Sequence, residues 1–176
     1  VVVARTYWEN SINNTIRFNS FVNNSHLAID LAGSTYSWNG DNVTLNDGAL
    51  TLDLPNELMD YPVITEAELY GSKLYVEGYV GTAVTPASPF AGALIDVYLV
   101  NNSLGGDNLV GNNNSTSGLL PDYYGEGWVY LGTLVANSSG GFSGYLDLSS
   151  IPPRYRPVNG SLITATAMLA GVGTSE

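Results

Sequence analysis

Apolar and polar residues alternate with a period of two in run after run of this chain, and no segment sustains the three-to-four spacing of a helical stripe. TIRFNSFV (15–22), HLAIDLA (26–32), ALTLDL (49–54), KLYVEGYV (73–80), ALIDVYLV (93–100), WVYLGTLVA (128–136), FSGYLDL (142–148) and SLITATAMLA (161–170) each read as a strand. SWNGDN, NNSLGGDN, NNNSTSG, NSSGG and IPPRYRPVNG lie between them and supply the positive-φ and proline positions that turns need. PNELMDYP reads as a single helical turn. Many short strands joined by such turns predict an all-β sandwich or barrel.

At 176 residues the chain fits one domain and can bury a sizeable core. Only 12% of residues are charged, so the surface must be polar without being ionic. Five Lys and Arg against sixteen Asp and Glu give a net charge of −11. No basic stripe is available to displace counterions from phosphates, which argues against nucleic acid as a partner and against an anionic membrane surface. With so few cations, little stability can rest on ion pairs, and the chain is expected to tolerate acid. There is no cysteine, hence no disulfide, thiolate chemistry or Cys-built metal site. The longest apolar runs, such as 93–100, are too short to cross a bilayer as a helix, so no membrane span is expected.

The chain opens VVVARTYWENSINNT without a starting methionine, which leads to the expectation of an exported protein whose secretory signal peptide has been removed. VVVARTYW is β-prone and free of proline. Extended, it places Val2, Ala4, Thr6 and Trp8 on one face and Val1, Val3, Arg5 and Tyr7 on the other, ahead of a polar NSINN hinge. Such a segment either forms the first strand of its own sandwich or adds to an open sheet edge of another chain. Asn-x-Ser/Thr occurs at Asn13, Asn23, Asn42, Asn101, Asn113, Asn114, Asn137 and Asn159, against about 3 such motifs expected from composition. Nearly all lie in predicted turns, and covalent N-glycans are expected there.

Catalytic and metal chemistry find little support. His26 is the one histidine, and neighbouring strand residues point to opposite faces, so Ser25 cannot readily meet it in a triad with Asp30. One His without Cys does not make a zinc site. Glu66 with Glu68, or Asp122 with Glu126, could be paired carboxylates, but read more simply as solvated acids on an acidic protein. Asp41, Asn42, Asp47 and Asp107 lack the EF-hand calcium spacing. Lys73 is the only lysine and reads as an exposed strand residue. The glycine-rich NSLGGD and NSSGGF are turns without the Lys-Ser/Thr of a phosphate loop. No enzyme, cofactor or metal is expected. The aromatics are the exception: twelve Tyr with Trp8, Trp38 and Trp128, above all in PDYYGEGWVY, are either core and subunit contact or a stacking platform for sugar rings.

The second half, KLYVEGYV, ALIDVYLV, LGTLVANSSGGFSGYLDLS and NGSLITATA, resembles the immunoglobulin-like and carboxypeptidase-regulatory-like modules of surface proteins over residues 73–170. The valine-rich terminus, the sequons, the Tyr/Asn-rich strands and the scarcity of charge and cysteine together resemble the subunit of the archaeal thread filaments of thermoacidophiles. Those are pilin-like subunits joined by donor-strand complementation. The resemblance implies an immunoglobulin-like/pilin-like β-sandwich over 15–176, preceded by a donor strand and hinge over 1–14. Val1, Val2, Val3, Tyr7, Trp8 and Ile12 would insert into the next subunit of a head-to-tail homopolymer. It also implies an extracellular, glycosylated cell-surface filament serving adhesion or biofilm formation, with cell-surface or glycan targets. The alternative is a monomeric secreted carbohydrate-binding β-sandwich module.

Overall fold

The structure, a computed structural model, describes residues 1–4, 11–22, 27–33, 43–100, 109–111 and 123–176, with the backbone alone described at 109–111 and 123–125. In chain order the strands are β1 (Val2–Ala4), β2 (Asp30–Ala32), β3 (Pro62–Tyr70), β4 (Lys73–Val80), β5 (Leu94–Val100), β6 (Leu109–Gly111), β7 (Tyr123–Gly125), β8 (Gly127–Val135), β9 (Gly141–Asp147), β10 (Ile163–Leu169) and β11 (Gly173–Thr174). The described residues contain no α-helix, and none of their helices is long and apolar enough to cross a membrane.

Two sheets face each other. One has the order β3-β4-β9 and the other β11-β10-β5-β8. The alternation of KLYVEGYV turns Leu74, Val76 and Val80 inward, where they meet Ile95, Val97 and Leu99 of β5, Phe142 and Leu146 of β9, and Leu131 of β8. The fold is therefore all-β with a sandwich core. Gly78 shows how tightly the layers sit: a Cβ there would lie 2.2 Å from the Val63 carbonyl oxygen and 2.7 Å from the Phe142 ring. β3 and β4 join through Gly71, whose φ of +61° favours glycine.

β5 is buried on both faces. Its inward residues meet the other sheet. Its outward residues, Asp96 and Tyr98, are covered by the chain before β2. Asp96, 1% exposed, accepts from Arg17 Nε on Oδ2 at 2.6 Å and from Arg17 Nη2 on Oδ1 at 2.7 Å, and Thr133 Oγ1 donates to Oδ1 at 2.5 Å. The Phe18 N–H donates to the Tyr98 hydroxyl and the Phe21 N–H to the Gly127 carbonyl. A small second cluster forms over this face from Val3, Ile29 and Leu31, with Ile16, Phe21 and Leu58 against it.

Two runs predicted as strands are not. Residues 15–22 cross the sheet irregularly, because their N–H groups bond to the Thr174 and Tyr98 hydroxyls and to the single carbonyl of Gly127 instead of a ladder, and Phe18 takes φ +59°. Residues 49–54 curl into a loop closed by the Thr51 N–H on the Glu57 carbonyl, with Asp53 at φ +65°. The predicted turn in PNELMDYP is a 3-10 turn over Pro55–Leu58 with left-handed backbone at Asn56, Glu57 and Leu58, an arrangement costly for non-glycine residues. The side chain of the fully buried Asn56 offsets that cost. Its Oδ1 accepts from the Asn14 N–H and Nδ2, while its own Nδ2 donates to the Asn14 and Thr174 carbonyls.

Removing one partner of a buried ion pair leaves the other without compensation. Asp96→Ala is expected to cost about 3 kcal/mol in urea unfolding, and an added Arg17→Met to recover part of it. A loss below about 1 kcal/mol would place the pair among surface contacts that hold nothing.

Candidate functional site

Sheet edges are where this fold exposes unused backbone. β3 is the edge of its sheet. β10 pairs with β5 on one side, while on the other β11 reaches only Met168 and Leu169, so among the described residues no strand pairs with that side of 163–166. Between these two edges lies a groove with a cavity of about 460 Å³. Pro62, Val63 and Ile64 form one wall and Ile163 to Thr166 the other, with Tyr98 and Gly127 between them and Ile16, Phe21 and Ile29 across one side. The lining is mostly apolar.

Two carboxylates break the apolar lining. Glu126 is 2% exposed, so the expectation that it is a solvated acid is corrected: it sits just ahead of β8, beneath the chain that crosses the sheet. Glu176 accepts the Leu31 N–H on Oε1 at 2.7 Å and the Thr44 N–H on Oε2 at 2.6 Å. Burial pushes its carboxyl up to about 7, although those two bonds pull the other way. Asp60, next to the groove wall, accepts the Gly48 and Asp47 N–H groups, and burial pushes it up to about 6.

The N-terminal strand lies near this groove. β1 pairs in parallel with β2 through Val2–Asp30, Val3–Leu31 and Ala4–Ala32. Val3 is buried beside Ile29, which also lines the groove, whereas Val1 and Val2 are 59% and 41% exposed and Ile12 is also exposed. Tyr7 and Trp8 lie outside the described residues. Of the sequons, Asn13, Asn137 and Asn159 are exposed and sit in irregular chain or turns. Asn23, Asn42, Asn101, Asn113 and Asn114 lie outside the described residues.

His26, Ser25, Asp41, Asp107, Asp122, Trp38 and Arg5 also lie outside them. Asp30 is buried in β2, and Lys73 and Glu66 with Glu68 are exposed on the outer face of the β3-β4-β9 sheet. Asp47 Oδ1 accepts the Ala49 N–H within its turn. No three His, Cys, Asp or Glu side chains among the described residues are placed to hold a metal ion. In PDYYGEGWVY, the Trp128 ring meets Tyr155 edge-on at 5.5 Å and Tyr130 packs against Phe18 and Tyr98, so the described rings of that stretch are used within the molecule. The groove walls of Pro62–Ile64 were not singled out from the sequence, although the β-branched VIT at 63–65 following a proline was a usable strand signal.

No family model matches the chain, and no solved structure matches it.

A carboxyl whose folded-state pKa is raised contributes stability that is present below its unfolded value and lost as pH rises through the folded one. The thermal midpoint is therefore expected to climb as pH falls from 8 to 5. Combining Asp60→Asn with Glu176→Gln is expected to flatten that climb; an unchanged slope would show that neither group titrates in this window.

Proposed function

We propose that the chain is the structural subunit of an extracellular glycosylated filament, of pilus or thread type, serving adhesion or biofilm formation. Residues 1–12 of one copy lie in the groove of the next. The observation that carries this reading is a mostly apolar groove flanked by two sheet edges, in a chain whose own apolar N-terminal strand is held at home by three residue pairs.

Strand addition uses just such a pairing of unsatisfied backbone with alternating side chains. The eight residues VVVARTYW span about 26 Å when extended, comparable with the length of β3. Moving Val1 and Val2 out of water would gain on the order of 1 kcal/mol each, in addition to ladder bonds to an open edge. Because donor and groove are different surfaces, the contact is heterologous and propagates head to tail when it does not close. Exposed asparagines in the sequons at Asn13, Asn137 and Asn159 suit a sugar coat on such a fibre.

Val2→Lys or Val3→Asp is expected to abolish filaments in negative-stain images while leaving folded monomer detectable by circular dichroism. Deleting residues 1–12 should do the same, as should Ala165→Arg on the groove wall. Normal fibres from the deletion would contradict the reading.

A further inference from the structure

The outer face of the β3-β4-β9 sheet carries chemistry unlike the rest of the molecule. Strand register brings Glu66, Glu68 and Tyr70 of β3 beside Glu77, Tyr75 and Lys73 of β4, and these beside Ser143, Tyr145 and Asp147 of β9. All nine point away from the core. Tyr145 of β9 is 58% exposed and meets both of the other rings. The Tyr75 ring lies 5.1 Å from it, tilted by 54°, and the Tyr70 ring, itself 52% exposed, lies 5.8 Å away and edge-on.

Two of these phenols are anchored. The Tyr70 hydroxyl donates to the Glu68 carboxylate, and the Tyr75 hydroxyl donates to Glu77 Oε2 at 2.5 Å. The bond to Glu68 pushes the Tyr70 phenol up to about 12, so it stays protonated. Rings held in this way have less freedom to lose when something stacks on them.

We propose that this face is a platform that binds neutral polysaccharide. Pyranose C–H faces stack on the Tyr70, Tyr75 and Tyr145 rings, and sugar hydroxyls donate to Glu66, Glu68 and Glu77. The hydrogen-bond sense is complementary, since ionised carboxylates are acceptors only and sugar hydroxyls can donate to them. Charge selects among partners. Four acids against one lysine repel polyuronates, nucleic acid and anionic lipid, and a second copy of this chain, at −11, carries the same sign. A basic peptide would compete for the carboxylate lone pairs that fix the phenols, whereas a hydroxyl can use those that remain. The inference is independent of strand exchange, which involves the sheet edges and not this face.

The test is titration of the intact protein with neutral hexasaccharides of glucose and of mannose, read by amide NMR shifts along β3, β4 and β9. At least one should bind, Tyr145→Ala should weaken it about tenfold, and Tyr145→Phe should keep it; because Tyr145 is exposed, both variants should melt as the parent does. No shift at millimolar sugar, binding indifferent to Tyr145→Ala, or binding of polylysine or polygalacturonate alone would each overturn the proposal.

Discussion

A carboxylate on the outward face of a central strand is the constraint around which the rest of the molecule is arranged. Asp96 sits in the middle of β5, where water would normally solvate it, yet it is buried by the chain that carries Arg17. An ionised group there needs a fixed cation and further donors, and Arg17 with Thr133 supplies them. Bringing Arg17 to the sheet draws residues 11–22 across it, positions Ile16 and Phe21, and gives Val3, Ile29 and Leu31 something to pack on. Ile16, Phe21 and Ile29 of this covering layer also line the groove between β3 and β10. The groove is therefore walled in part by the layer that Arg17 anchors.

The second anchor, Asn56, ties the same layer to the far end of the chain. Its amide joins Asn14 to Thr174, so the start of the fold and its last described strand are fixed to one strained turn. Gly173 is needed beside it, because a Cβ there would lie 2.3 Å from the Asn56 side chain. These polar clasps hold the covering layer in a protein that has no cysteine and only five Lys and Arg.

Strands that turn one face to the sandwich core were legible in the sequence. The runs at 73–80, 93–100, 128–136, 142–148 and 161–170 coincide with β4, β5, β8, β9 and β10 within a residue or two, because burying one face imposes the alternation. β3 is not among those runs because a bulge between Ile64 and Glu66 breaks its period. Residues 15–22 have the right period, but their N–H groups are taken by the Thr174 and Tyr98 hydroxyls and the Gly127 carbonyl, which set their path across the sheet. The apolar terminus was visible at once. The groove was not, since its walls come from segments about a hundred residues apart, and the tyrosine face was hidden for the same reason, being assembled from three strands.

The claim that most needs testing is that the terminal strand belongs to a neighbour. The absence of native cysteine makes the test clean. One population carries Val2→Cys alone and a second Ala165→Cys alone; the two are mixed under assembly conditions, oxidised, and examined by non-reducing gel and peptide mass spectrometry. Strand exchange predicts a disulfide joining positions 2 and 165, which in this mixture can only be intermolecular. Filaments that form without that cross-link, or with bonds only between identical positions, would contradict the account.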